Sequence, residues 1–164
     1  MEKVTIFVDV QNIYYTTKQA YNCNFDYNEF WEKATSNREV IKALAYSCDR
    51  GDQKQRQFQN ILKAIGFEVK LKPYIQRSDS SAKCDWDVGI TIDAMEYAKG
   101  SDIVVLVSGD GDFDLLVQKL RADYGCSVEV YGVPQLTAAS LIRSASKYIP
   151  IENSLLLSKQ TNRV

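Results

Sequence analysis

Histidine is missing from this chain of 164 residues. Its absence excludes Ser-His-Asp and Cys-His catalytic sites, and it also excludes histidine-ligated metal centres. Two glycine-rich phosphate-binding motifs, GxxxxGK[ST] and GxGxxG, are missing as well, so the sequence does not support a nucleoside triphosphate or dinucleotide site. Any catalytic chemistry must therefore depend on other side chains, and the 21 Asp and Glu residues are the first candidates.

Long apolar runs and closely paired cysteines are also absent. No stretch reaches the roughly 18 apolar residues of a membrane span, and the N-terminus meets Asp9 after a few apolar residues, unlike a signal peptide. These absences predict a cytoplasmic protein without a membrane partner. The cysteines lie far apart with no CxxC pair, which predicts no zinc site and no disulfide framework but reduced, mostly buried thiols. They are Cys23, Cys48, Cys84 and Cys126.

The net charge of −1 conceals an uneven distribution along the chain. Residues 50–84 carry eight Lys or Arg against three Asp or Glu, whereas residues 85–164 carry seven against eleven. A basic middle beside acidic ends is expected of a carboxylate metal site that faces a polyanion-binding surface. The alternative is that solvated lysines are unevenly distributed by chance. The length and the 45% of hydrophobic residues predict one domain with a substantial core.

Hydrophobic periodicity predicts strands that alternate with helices. The segment 85–98 is ambiguous, because Val88, Ile90 and Ile92 alternate as in a strand, but a crossover between parallel strands is normally helical. The alternation predicts a three-layer α/β/α fold with a central, mainly parallel five-stranded sheet. Strands are predicted near residues 4–10, 40–46, 67–74, 102–108 and 127–133, and helices near residues 25–33, 52–65, 85–98 and 113–124.

Several aspartates follow directly after predicted strands. Asp9 ends the first strand, and Asp110 and Asp112 follow the fourth in the stretch VLVSGDGDFDLL. Ligands of doubly wound sheets bind at the carboxyl ends of strands, so these acids converge if the first and fourth strands are neighbours. Asp87 opens the helix before the fourth strand and approaches from the side. Such a cluster repels itself unless a cation neutralises it, and oxygen ligands alone favour Mg²⁺ or Mn²⁺.

Some of these acids also have structural interpretations. Asp112 is a candidate N-cap for the helix that begins at Phe113, and Asp114 complements the helix dipole in the first turn. Asp85 is interpreted as a helix cap. An EF-hand calcium loop is excluded, because Leu115 and Arg121 occupy the positions that require Gly and Glu.

Three blocks of the sequence carry a family resemblance. FVDVQNIYY near the N-terminus, DVGITIDAM in the middle and LVSGDGDFDLLVQKLR after the fourth strand occur in this order. Together they resemble the signature blocks of the NYN domain family, in the LabA-like branch of the PIN-like nucleases. The resemblance covers residues 1–150 and leaves residues 151–164 as a C-terminal tail. It implies a PIN-like, Rossmann-like α/β/α sandwich and metal-dependent RNA cleavage.

The resemblance also implies roles for individual residues at the catalytic site. Asn12 becomes a polar partner close to the metal or the scissile phosphate. Asp93 matches a further acid of the middle block, although six residues along a helix correspond to about 240° of rotation away from Asp87. The implied ligands of Mg²⁺ or Mn²⁺ are Asp9, Asp87, Asp110 and Asp112.

RNA is the expected partner, single-stranded or structured, and a homodimer is left open. Basic residues of the middle segment are expected to hold the RNA backbone, and two tyrosines near the first acid could stack unpaired bases. The alternative for these tyrosines is packing against the core or its rim. The expected RNA-binding residues are Arg50, Lys54, Arg56, Arg77, Lys83, Tyr14 and Tyr15.

The sequence is compared with two alternative functions. A haloacid-dehalogenase-like phosphatase also has an acid after its first strand, but its nucleophile motif requires D-x-D, and Gln11 stands where the second Asp is needed. A non-catalytic RNA- or protein-binding module would keep the fold without turnover. The full set of acids favours the nuclease over the binding module.

Overall fold

The computed structural model describes residues 1–73, 75–76 and 82–157. Within these residues, six parallel strands form one sheet in the order β3-β2-β1-β6-β7-β8. These strands are β1 (Glu2–Asp9), β2 (Arg38–Asp49), β3 (Glu68–Pro73), β6 (Ile103–Val107), β7 (Ser127–Gly132) and β8 (Lys147–Pro150). A separate antiparallel pair is formed by β4 (Ile75–Gln76) and β5 (Ala82–Lys83).

Helices cover both faces of the sheet, so the predicted α/β architecture is confirmed. They are α1 (Val10–Tyr21), α2 (Tyr27–Thr35), α3 (Gln53–Ile65), α4 (Asp87–Ala98), α5 (Asp114–Tyr124) and α6 (Ala139–Ser144). The spacing of Asp26 and Glu29 in the sequence predicts a capping box, and the Asp26 side chain does cap α2 by accepting the Glu29 N–H at 3.0 Å. Gly66 and Gly125, which follow two helical patterns in the sequence and so predict C-caps, end α3 and α5.

The prediction of five strands was wrong by one. Among the described residues, β8 is a four-residue edge strand that pairs only with β7, and only Ile149 in it is buried. An edge strand buries few side chains, so its sequence carries a weak alternating pattern. Residues 151–157 pack on the domain beyond β8, with Ile151 and Leu155 buried in the core.

The ambiguous segment before the fourth predicted strand is the helix α4, as predicted. Its buried residues Ile90, Ala94 and Ala98 are spaced at four-residue intervals, which places them on one helical face. Val88 and Ile92, which suggested a strand, are 72% and 61% exposed. The helical period therefore accounts for the buried positions and the two-residue alternation does not.

The strand order places β1 at the centre, between β2 and β6. Successive connections run outward from β1 in one direction through β2 and β3, and in the other through β6, β7 and β8. The direction reverses between β1 and β6, where ligands of doubly wound sheets bind. The first and fourth predicted strands are thus neighbours, which meets the condition under which their acids converge. Within the described residues, no helix has the length and hydrophobicity to cross a bilayer.

Candidate functional site

Two acid-bearing segments are joined by one buried serine at the carboxyl edge of the sheet. Ser108 follows β6 and is fully buried. Its hydroxyl donates to Asp9 Oδ2 at 3.1 Å and accepts the Asp110 N–H at 3.2 Å. The end of β1 and the loop after β6 are therefore held together, which brings Asp9 close to Asp110.

Asn12 holds the same loop from the first turn of α1. Its Oδ1 accepts the Gly109 N–H at 2.9 Å, and its own N–H donates to Asp9 Oδ1 at 3.4 Å. Gly109 is required by space, because a Cβ there would lie 2.6 Å from the Leu136 carbonyl oxygen. The Asn12 side chain thus positions the loop that carries Asp110. Its predicted contact with a metal or phosphate stays a prediction.

Three carboxylates form the centre of the site. Each of Asp87, Asp110 and Asp112 offers an oxygen within 4.8 Å of the others. Asp110 accepts the Asp112 N–H at 2.9 Å and so caps the 3₁₀ helix Gly111–Phe113. The capping role considered for Asp112 belongs instead to Asp110. The Asp112 carboxylate is exposed and is left available for a cation.

The electrostatics of these acids show how strongly their charges are crowded. Burial, together with the negative charges of Asp110 and Asp85, raises the pKa of Asp9 to about 6, against the hydrogen bonds from Asn12 and Ser108. Burial, together with the hydrogen bonds and charges of Asp110 and Asp85, raises the pKa of Asp87 to about 8.

A divalent cation would lower the raised pKa values of Asp9 and Asp87, because it neutralises the crowded carboxylates. An all-oxygen donor set fits Mg²⁺ or Mn²⁺. Asp87, Asp110 and Asp112 are the residues placed to hold such an ion, with Asp9 beside them.

Asp93, predicted as a further acid of the site, lies outside this group of three. Its Oδ2 accepts the Tyr46 hydroxyl at 2.8 Å and the Lys70 ammonium at 2.6 Å. These partners lie on β2 and β3, so Asp93 faces the sheet and supplies the polar partner that the buried Tyr46 needs. Asp85 accepts the Asp87 N–H at 2.7 Å at the start of α4, in line with its predicted capping role.

The cysteine prediction needs a correction. Cys48 and Cys84 form a disulfide with Cα atoms 6.1 Å apart, and only Cys23 and Cys126 are free. Cys48 lies near the end of β2, and Cys84 lies just before α4. Their sequence separation of 36 positions hid the pair, because only the folded sheet brings these segments together. The bond joins the segment just before Asp87 to the carboxyl edge of the sheet.

The predicted RNA-binding residues are only partly brought together. Tyr14 and Tyr15 are 52% and 48% exposed, so core packing does not explain them. They line one cavity together with Arg50 and Lys54. Arg56 is exposed on α3 but is not among the residues that line this cavity. Arg77 and the Lys83 side chain lie outside the described part of the structure.

The chain is similar to known proteins in sequence and in structure. Residues 3–152 match the model of the NYN domain. The chain belongs to the NYN domain family. Low amplitude and bright protein LabA of Synechococcus elongatus is 26% identical, over 98% of this chain and 90% of that protein. The crystal structure of a Vibrio parahaemolyticus protein of unknown function has a TM-score of 0.91 at 57% identity, covering 95% of this chain and 96% of the other.

The NYN family belongs to the PIN-like nucleases. The family resemblance noted from the sequence blocks is thereby confirmed. The sheet with its acidic carboxyl edge is consistent with a PIN-like fold. NYN nucleases are metal-dependent, and the three-carboxylate group of this NYN domain is a candidate metal centre.

The raised pKa of Asp87 predicts a pH-dependent stability of the metal-free domain. The folded-state pKa of about 8 lies above the ordinary 3.8, so the folded state binds more protons between these values. Stability contributed by this group is therefore lost as pH rises through that window. We expect the melting temperature in EDTA to fall from pH 6 to pH 8, and Asp87→Asn to reduce that fall.

Scanning fluorimetry of both proteins across this pH range measures the difference. Adding Mn²⁺ at pH 8 should raise the melting temperature of the wild type more than that of Asp87→Asn, because the ion stabilises the ionised carboxylates. Identical pH dependence in the two metal-free proteins would show that Asp87 does not carry the shift.

Proposed function

We propose that this NYN domain is a Mg²⁺- or Mn²⁺-dependent ribonuclease that hydrolyses phosphodiester bonds of RNA. The observation that carries the proposal is the group of three carboxylate oxygens within 4.8 Å of one another at the switch point of the sheet. The chain has no histidine, so acid–base or metal chemistry with imidazole is not available to it. Hydrolysis at a carboxylate-held cation fits both facts.

The division of roles follows from the contacts of each acid. Asp87, Asp110 and Asp112 would bind the ion, and a bound divalent cation would supply a hydroxide nucleophile near neutral pH and neutralise charge on the phosphate. Asp9 is held by Ser108 at the floor of the site and completes the negative field that attracts the ion. Asn12 keeps the Gly109 loop in place, so that Asp110 faces the group.

Hydrogen bonds within the protein already orient the carboxylates that would bind the metal. Ser108, Asn12 and the turn at Asp110 use backbone N–H groups and one hydroxyl to orient the acids. Ligands that are oriented by such neighbouring hydrogen bonds bind metal with less reorganisation on binding. This arrangement favours a working metal centre over a set of acids that is only solvated.

Incubation of the full chain with labelled single-stranded RNA tests the proposal. We expect cleavage in Mg²⁺ or Mn²⁺ and none in EDTA, with activity restored by excess metal. RNA that is bound but left intact in both metals would favour a non-catalytic binding module. Hydrolysis of small phosphomonoesters without RNA cleavage would favour the phosphatase alternative.

Arg77 and Lys83 belong to the basic middle segment and are expected to position the RNA backbone. Replacing both with alanine should weaken RNA binding several-fold and lower the salt slope by about 1.4, since each single-strand phosphate contact contributes roughly 0.7. Single-turnover cleavage at saturating RNA should change much less. Fluorescence anisotropy at several salt concentrations measures the slope.

The matched control replaces two exposed lysines at the opposite edge of the sheet. Lys3 and Lys147 lie at the amino ends of β1 and β8. Their double alanine variant removes the same charge and should retain the wild-type slope. Equal slopes for all three proteins would remove Arg77 and Lys83 from the binding surface.

A further inference from the structure

A cavity of about 580 Å³ opens between α1, α2 and α3, beside the carboxyl ends of β1 and β2. Its volume falls within the roughly 300–1,000 Å³ typical of small-ligand sites. Val10 and Gln11, which follow Asp9 directly, line one side, and Ser47 at the end of β2 lines another. Most of its wall is aromatic or aliphatic and includes Tyr14, Tyr15, Tyr27, Phe58, Ile61 and Ile65.

One polar group inside the cavity has no protein partner. The Tyr27 side chain is largely buried among Phe25, Phe58 and Phe67. Its hydroxyl makes no hydrogen bond to any residue in the described chain. Burial raises the pKa of this phenol, and the negative charge of Asp9 adds to the shift, so the hydroxyl is within electrostatic reach of Asp9. A hydroxyl at the cavity wall without a protein partner can donate to a ligand that offers an acceptor.

Two cations and two acids lie at the rim of the cavity. Arg50 follows β2, and its guanidinium donates to the Tyr15 hydroxyl at 3.1 Å, while Lys54 lies in the first turn of α3. The two acids cap helices: Asp26 accepts the Glu29 N–H at 3.0 Å, and Asp52 accepts the Gln55 N–H at 2.8 Å. Arg50 and Lys54 are the rim groups that can contact a phosphate of a bound nucleotide.

We propose that this cavity binds one unpaired nucleobase of the RNA strand whose phosphodiester lies at the carboxylate group. The inference rests on the proposed ribonuclease function and names its substrate as RNA with an unpaired base beside the cleaved bond. Tyr15 stacks on the base, the Tyr27 hydroxyl donates to a base acceptor, and Arg50 and Lys54 face the phosphates next to it. Aromatic stacking tolerates any base because every base has a π-face.

The position of the tyrosines relative to the acids supports this arrangement. Tyr15 is six residues beyond Asp9 on α1, which corresponds to about 9 Å along the helix axis. A nucleotide adjacent to the cleaved bond can reach this distance. A base in a duplex is stacked and paired, so it cannot enter a cavity without being extruded. The cavity therefore selects single-stranded RNA.

Binding of small nucleotides to the metal-free protein tests the cavity separately from cleavage. Adenosine 5′-monophosphate and ribose 5-phosphate, titrated in EDTA and followed by NMR chemical shifts, differ only by the base. We expect the nucleotide to bind at least about tenfold more tightly and to shift resonances of Tyr15 and Tyr27. Tyr15→Ala should weaken nucleotide binding about tenfold, because a stacked base is lost.

Two further variants serve as controls for the loss of nucleotide binding. Tyr15→Phe retains the ring and should bind the nucleotide nearly as well as the wild type. Ile92→Ala removes a side chain that is 61% exposed on α4, away from the cavity, and should leave binding unchanged. Equal affinity for the two ligands, or no loss in Tyr15→Ala, would overturn the proposal.

The two proposals can fail independently. Nucleotide binding that depends on Tyr15, without RNA cleavage in any metal, would support the cavity and overturn the ribonuclease. Metal-dependent cleavage of a duplex at the rate of the matching single strand would overturn the cavity and support the ribonuclease.

Discussion

Replacing Asp110 with asparagine should lower the rate of metal-dependent RNA cleavage more than about 100-fold while the fold remains intact. Asp110 contacts both other members of the group and forms the turn to Asp112, so it is central to the proposed metal centre. Substitution of residues that only orient a metal ligand costs about 10–100-fold in affinity or activity. Loss of a ligand carboxylate should therefore cost more. Single-turnover cleavage of labelled RNA in Mn²⁺ measures the effect.

The structure offers a matched control for this substitution. Asp114→Asn makes the same chemical change in the first turn of α5, outside the three-carboxylate group, and should cleave at nearly the wild-type rate. The Asn side chain at position 110 keeps an oxygen that can accept the Asp112 N–H, so Asp110→Asn should melt no lower than the wild type in EDTA. Wild-type cleavage by Asp110→Asn would show that the carboxylate group is not the catalytic site.

Removal of the Cys48–Cys84 disulfide should lower the free energy of unfolding by about 2–4 kcal/mol. The bond joins residues 36 positions apart in the sequence, and opening it increases the freedom of the unfolded state. The double variant Cys48→Ser, Cys84→Ser should therefore unfold at lower urea concentration than the oxidised wild type. Wild type treated with dithiothreitol should match the variant.

Cys23→Ser is the control, because Cys23 is free in the structure. Its stability should respond to dithiothreitol as strongly as that of the wild type. A thiol count under denaturing, non-reducing conditions checks the bond directly and should give two thiols per chain. Four thiols, together with no effect of dithiothreitol on stability, would contradict the disulfide.

The disulfide also connects stability to the proposed site. Cys84 lies three residues before Asp87, and Trp86 between them donates to the Ser47 carbonyl at 2.8 Å. The bond and this hydrogen bond both fasten the start of α4 to the end of β2. The indole contact remains after reduction, so we expect the site to loosen without separating from the sheet.

The local features of this protein were predictable from its sequence because they depend on neighbouring residues. Asp26 three residues before Glu29 predicted a helix start, and Gly66 and Gly125 predicted helix ends, since glycine adopts positive φ without strain. The buried β-branched run before Asp9 predicted the central strand. Carboxylates at strand ends then predicted an acidic site.

Only the tertiary structure decided which distant residues meet. The parallel sheet brings Cys48 to Cys84 and brings Lys70 and Tyr46 to Asp93, so a disulfide formed where thiols were expected and an expected ligand became an ion-pair partner. The cavity that gathers Tyr15 and Tyr27 is formed by three helices that are separate in sequence. Spacing along the chain describes residues within one element, whereas these contacts depend on strand order and helix packing, which bring distant segments together.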